Sequence, residues 1–209
     1  MANTAAYNGF QQYSGNGSAP TYEQVVATIV SSSTTPTYEQ VAVQIAYNAS
    51  AIFYGDPVNP DANGYIVVGV TSGSSGNTQI AGVFVGCKYL SVSQKRTVWS
   101  NYWPGADNSG NVEAYIINDP NARFIAQFGN VSVAQSYVNS GVGFNIGTGN
   151  ASSGISGAFL ETLATDATMP FRVVSLVTTP PGANGTEAGA YQRAIVAFNN
   201  VSTRALISI

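Results

Sequence analysis

Histidine is missing from all 209 residues, and cysteine occurs once. The first absence removes Ser-His-Asp and Cys-His catalysis, histidine zinc sites and the usual proton shuttle near neutral pH. The second excludes an internal disulfide framework. The lone Cys87 stands in the apolar run Val83-Phe84-Val85-Gly86-Cys87, which reads as a buried, inert thiol. A reactive thiol would need a neighbouring base, and here none can be histidine. No metal and no cofactor are therefore expected, and the chain does not read as an enzyme.

Charge is the next scarcity. Charged residues make up 8% of the chain, against roughly 25% in an ordinary soluble domain. The polar share is Ser, Thr, Asn, Gln and Gly instead, which gives a neutral, hydrogen-bonding surface suited to lying against another protein. Net charge is −3, with seven basic residues spread thinly from Lys88 to Arg204. There is no basic stripe, so nucleic-acid binding is not expected. Long apolar runs are also missing. No stretch reaches about 18 residues, so no membrane span is expected. The first residues, Met1-Ala2-Asn3-Thr4-Ala5-Ala6-Tyr7, are neither basic nor followed by an apolar segment, so the reading is cytoplasmic synthesis without a signal peptide. The sequons at Asn48, Asn130 and Asn200 then carry no meaning.

What is present divides into two textures. Residues 1–50 read as an N-terminal arm with repeated short helical segments. Residues 1–19 are rich in Asn, Gln, Gly and Ser and suggest a flexible arm whose aromatics, Tyr7, Phe10 and Tyr13, either dock on a neighbour or stay disordered. Pro20-Thr21-Tyr22-Glu23-Gln24-Val25 then returns as Pro36-Thr37-Tyr38-Glu39-Gln40-Val41. In each copy a Thr precedes a Gln by three residues, the spacing of a capping box. Apolar residues follow at helical intervals: Tyr22, Val25, Val26, Ile29, Val30, and again Tyr38, Val41, Ala42, Ile45, Ala46. Two short amphipathic helices are expected, each marginal alone.

Residues 51–209 read as one mainly β domain, a small antiparallel barrel or sandwich. Strands are expected near 64–70, 80–90, 96–102, 112–118, 122–128, 170–177, 191–199 and 203–208. Turns are signalled by Asp61-Ala62-Asn63-Gly64, Asp107-Asn108-Ser109-Gly110 and Asp119-Pro120-Asn121. The Gly/Ser/Asn-rich stretch 139–157 reads as a long loop with little to contribute to a core.

Candidate chemistry is thin. Asn59-Pro60-Asp61-Ala62-Asn63-Gly64 imitates a calcium loop, but Asn opens it and Val70 stands where the bidentate Glu belongs. The glycines at 141, 143, 147 and 149 do not make a phosphate cradle. Gly154-Ile155-Ser156-Gly157-Ala158 falls one residue short of a nucleophile elbow. Paired carboxylates remain open without histidine, yet no spacing among Glu113, Asp119, Glu161 and Asp166 puts two on one face of one strand. Ser100-Asn101-Tyr102-Trp103-Pro104-Gly105 is the most unusual local sequence. Tyr102 and Trp103 there could plug a barrel end, anchor an interface or form a sugar-stacking platform.

Three ordered segments carry a resemblance. Ala81-Gly82-Val83-Phe84-Val85-Gly86-Cys87-Lys88-Tyr89 precedes Trp99-Ser100-Asn101-Tyr102-Trp103-Pro104-Gly105 and then Ala114-Tyr115-Ile116-Ile117-Asn118-Asp119-Pro120-Asn121-Ala122-Arg123-Phe124. This succession resembles a family of tailed-bacteriophage structural proteins with a GxFxGCxY run, an S-x-YWP segment and a DDPN turn. Met169-Pro170-Phe171-Arg172-Val173-Val174-Ser175-Leu176-Val177 and Ala194-Ile195-Val196-Ala197-Phe198-Asn199-Asn200 are similar to two later strands of that family. The likeness spans residues 64–200. It departs at Asn118, where the family has Asp, and at Ala197, where a basic residue is usual. The resemblance implies a capsid decoration, or cement, protein on the virion surface, bound to the major capsid protein as a dimer or trimer. It implies no catalytic residues. The partner-binding candidates are Tyr7, Phe10, Tyr13, Tyr22, Tyr38, Tyr102 and Trp103, with Tyr22 and Tyr38 equally able to pack on their own domain. A carbohydrate-binding head fibre or adhesin module using Tyr102 and Trp103 is the alternative.

Overall fold

The structure is a computed structural model and describes residues 2–14, 40–70, 79–164 and 168–203. In chain order its strands are β1 (Gln11–Ser14), β2 (Gln40–Ile45), β3 (Pro57–Pro60), β4 (Ile66–Val68), β5 (Gly82–Ser91), β6 (Arg96–Ser100), β7 (Val112–Ile117), β8 (Arg123–Gln127), β9 (Gly141–Asn145), β10 (Phe159–Ala164), β11 (Phe171–Leu176) and β12 (Arg193–Phe198). Among the described residues, a single 3₁₀ turn at Gln135–Tyr137 is the only helical element. The chain is mainly β, as its runs of β-branched and aromatic residues predict.

The strands form two six-stranded sheets, and each curls back on itself. In the first, the circuit runs β2–β4–β3–β5–β7 and returns to β2, because β3 pairs with both β4 and β5. This is a five-stranded barrel, with β6 added to the outer side of β5. In the second sheet the order is β8–β12–β11–β9–β10, with β1 added on β8. A parallel bridge between Phe128 and Leu160, carried by the 2.9 Å bond from Gly129 N–H to the Leu160 carbonyl, brings β10 back to the end of β8. Counted from its own first strand, each circuit has the same winding, first–third–second–fourth–fifth. The parallel seam falls between first and third in both: Ile45 beside Ile66, and Phe128 beside Leu160. The turn at Asp119-Pro120-Asn121 joins the two circuits, with Ala122 N–H bonded to the Asp119 carbonyl at 2.9 Å. Closing a circuit pairs the backbone groups that an open edge would expose.

Two apolar clusters fill these circuits. The first holds Ile45, Val58, Phe84, Cys87, Tyr89, Trp103, Val112, Ala114 and Ile116. The second holds Phe124, Phe144, Leu160, Phe171, Val196 and Phe198, and reaches across to Val83 and Ile117 of the first circuit's strands and to Ile80 just before β5. The two halves therefore share packing and are not independent beads.

Three expectations need correction. The second helix is replaced by a strand: β2 pairs with β7 at every position from Gln40–Ile117 to Ile45–Val112. Its burial alternates with period two, Val43 and Ile45 turning inward and Ala42 and Gln44 outward. Val41 and Ile45 fit both periods over so short a run, and pairing with a ready strand decides between them. The first helix, with Tyr22, lies outside the described residues, as does Tyr38 at the start of the second. The stretch 139–157 is not coreless, since β9 crosses it and Val142 and Phe144 are fully buried. The arm is not loose over residues 2–14: Phe10 stacks on Phe171 at 4.4 Å, and Gln127 accepts from Ala6 N–H at 2.7 Å while donating to the Thr4 carbonyl. Gly9, at φ +67°, lets the arm pass so close that a Cβ there would lie 2.7 Å from that of Ser156. The strand expected at 203–208 falls almost wholly outside the described residues.

Candidate functional site

Of the predicted aromatics, the structure brings few to the surface. Trp103 is wholly buried at the end of the first barrel, edge-on to Tyr89 at 5.2 Å, with its indole N–H donating to the Ala49 carbonyl at 3.3 Å. Backbone bonds to Ile52 in both directions, 3.0 and 2.7 Å, hold it there. It is the barrel plug and offers no ring face to a sugar. Tyr102 beside it stacks flat on Phe53 at 5.4 Å. Phe10 is core, and Tyr7 stacks on Phe159 at 4.3 Å. Only Tyr13 is open, 51% exposed on β1. The five candidates among the described residues do not form one site; Tyr22 and Tyr38 lie outside the described residues.

Two exposed aromatics stand outside the predicted set, Tyr47 at 60% and Trp99 at 68% accessible, and Trp99 is the more open. It lies on β6 opposite Lys88 of β5, which in turn lies opposite Glu113 of β7. One row along, Gly86 faces Tyr115. Because Gly86 has no side chain, the Trp99 and Tyr115 rings meet across β5, with centroids 5.9 Å apart and planes 7° from parallel. The four polar and aromatic side chains close a loop. Tyr115 donates to Glu113 at 2.5 Å, Lys88 Nζ lies 3.1 Å from the other Glu113 oxygen, and the same Nζ sits 5.0 Å from the Trp99 ring centre. A cation over an indole face is attracted by the ring quadrupole. The Tyr115 hydroxyl, and then Lys88, hold Glu113 below the usual carboxylate range. The same bond raises the Tyr115 phenol. Glu113 is thus an acceptor and not a proton donor.

A groove of about 530 Å³ opens beside these rings, lined by Gln40, Val85, Gly86, Trp99, Asn101 and Tyr115. The backbone bulges here, so that Val85 has no partner of its own on β7. Bulges re-aim side chains at barrel rims. An outward-facing Trp in register with an outward Lys and Glu was a signal present in the sequence, but reading it required knowing which strands pair.

Other groups with possible chemistry are structural. Cys87 is buried, its thiol contacts the Tyr102 carbonyl at 3.5 Å, and burial pushes its pKa up to about 12. Asp107 accepts from the Ser91 hydroxyl at 2.5 Å and from Ser93, bonds that lower its pKa. Among the described residues no cluster of three or more Cys, Asp and Glu stands ready for a metal ion. The Asp61–Gly64 segment is a tight loop between β3 and β4, closed by Gly64 N–H to the Asp61 carbonyl at 3.0 Å. Comparisons of the chain with protein-family models, curated proteins and solved structures found no match.

Proposed function

We propose that this chain is a non-enzymatic virion protein that binds the outside of a phage capsid, contacts the major capsid protein and stabilises the assembled shell, as a dimer or trimer. The observation that carries the reading is how its described carboxylates are used. Each accepts a hydrogen bond that braces nearby structure. Asp56 takes Ser156 and Phe53, Asp61 takes Asn63, and Asp107 takes Ser91. Glu113 takes Tyr115, Asp119 takes the Asn121 N–H, Glu161 takes Asn145, and Glu187 takes the Gly182 N–H. With histidine missing, acids are the natural proton carriers, and the engagement of each described one in bracing a turn or strand supports a structural reading.

The ordered likeness over residues 64–200 supplies the word phage. Its segments fall on β5, on the Trp103 plug, on the turn between the circuits and on β11 and β12, so it speaks to shared framework. Closed barrels leave little unpaired edge and suit a protein that must stay dispersed until a shell is ready. The action is mass action: a ligand of the assembled form alone lowers that form's free energy. A surface with few charges makes such contacts weakly salt-dependent.

The test is to purify particles with and without this gene product. Cryo-electron microscopy should place it on the shell in symmetric copies, and particles lacking it should lose their shells at lower temperature. Its absence from mature particles, or turnover of a substrate lost on neutralising one acidic side chain, would overturn the proposal.

A further inference from the structure

The groove beside Gly86 plays no part in the reading above. We infer that it is a binding site for a neutral saccharide, seated against Trp99 and Tyr115.

The fold does not need Trp99 where it is. Its ring stands in water on an edge strand, while the chain's other Trp fills the barrel. A large aromatic held open to solvent is of use when something covers it. The ring is also fixed in advance. Tyr115, Glu113 and Lys88 lock one another and flank the indole, so little side-chain freedom remains to be lost on binding.

The lining then selects the ligand. Lys88 and Glu113 neutralise each other, which leaves no unpaired cation for a phosphate or an acidic sugar. The remaining polar groups on the lining are the amides of Gln40 and Asn101 and the hydroxyl of Ser100. Asn101 Nδ2 already donates to the Ser153 carbonyl at 2.8 Å and Ser100 Oγ accepts from Tyr102 N–H at 3.2 Å, so what a purely apolar ligand would leave unused is the further hydrogen-bonding capacity of these two groups and of Gln40, at a cost. A sugar ring satisfies both demands, with an apolar C–H face for the aromatics and a rim of hydroxyls for the amides. The groove, at about 530 Å³, falls in the size range of small-ligand sites and takes one or two rings. A protein partner would need roughly 800 Å² of its surface covered, more than so local a concavity supplies. Gly86 keeps the floor open: a Cβ there would stand 3.0 Å from the Ser100 carbonyl oxygen.

Trp99 itself reports binding, because Trp103 is buried out of a ligand's reach. The full chain is titrated with maltose, cellobiose, lactose and chitobiose up to about 50 mM while tryptophan emission is followed. At least one sugar should give a saturable blue shift with a dissociation constant of about 0.1–10 mM. For the variants, isothermal titration calorimetry replaces emission, since Trp99 is itself the reporter: Trp99→Ala should abolish binding and Tyr115→Ala weaken it about tenfold. Trp99→Phe, which keeps a ring face, should retain binding within about threefold. Circular dichroism confirms that each variant is folded. No shift with any of the sugars, or binding unchanged in folded Trp99→Ala, overturns the inference. So does saturable binding of an apolar peptide with none of a sugar.

Discussion

Asp56 and Ser156 stand 100 residues apart in sequence and share a buried hydrogen bond of 2.5 Å. The other Asp56 oxygen accepts from Phe53 N–H at 2.7 Å, and the Ser156 hydroxyl accepts from Ala158 N–H at 2.8 Å. Phe10 N–H binds the carbonyl of the adjoining Gly55 at 2.9 Å. One carboxyl group thus sits where the arm, the first barrel and the 150s loop of the second meet.

Burial, partly offset by its two hydrogen bonds, pushes the Asp56 pKa from 3.8 up to about 6. Folding therefore favours its protonated form. Its stabilising contribution is complete below about pH 4 and is lost as pH rises to about 6, at most about 3 kcal/mol by linkage. Urea unfolding from pH 4 to 8 should show that loss in the wild type, and Asp56→Asn should flatten the curve. Parallel profiles for the two proteins would refute this placement of the charge cost.

The two tryptophans should behave oppositely. Trp103→Ala removes a fully buried ring and should cost about 3–5 kcal/mol. Trp99→Ala should cost under about 1 kcal/mol, the usual range for an exposed position. Chemical denaturation of both variants decides it; similar losses would mean that Trp99 is held by more than its neighbours on the sheet.

Removing the arm should damage the fold. Phe10→Ala takes a ring from a stack with Phe171 and an edge contact with Phe144, for a loss of about 3–5 kcal/mol. Deletion of residues 1–14 should lower the melting temperature at least as far. An unchanged transition would show that the arm is an appendage.

The thiol should be silent. With its pKa pushed up to about 12 by burial, Cys87 carries a thiolate fraction of about 10⁻⁴ at pH 8. Ellman's reagent should react with the denatured chain within minutes and with the native chain only at the rate of unfolding. Rapid labelling of native protein would contradict its place in the first core.

Much of the framework was legible before any coordinates. Strands β4, β6, β7, β8, β11 and β12 fall inside the segments that apolar, β-branched runs mark out, and β5 overruns its segment by one residue. The turns at Asp61–Gly64 and Asp119–Asn121 follow from Asx chemistry that acts within four residues. The burial of Cys87 follows from its apolar neighbours. Local signals survive folding when tertiary contacts agree with them. They failed at β2, where six residues satisfied two periods at once, and at β9, where glycines hid the buried pair Val142 and Phe144.

The sequence alone determined which chemistry is out of reach through imidazole, that strands dominate, and where several of them turn. It could not say that two circuits close with the same winding, because closure depends on pairings between residues far apart. Nor could it tell the tryptophan that plugs a barrel from the one that faces water. Both stand in aromatic-rich surroundings four residues apart. Only the register of β6 on β5 turns Trp99 outward over Gly86, and only the closed barrel gives Trp103 a cavity to fill, since a side chain's exposure is set by what packs around it.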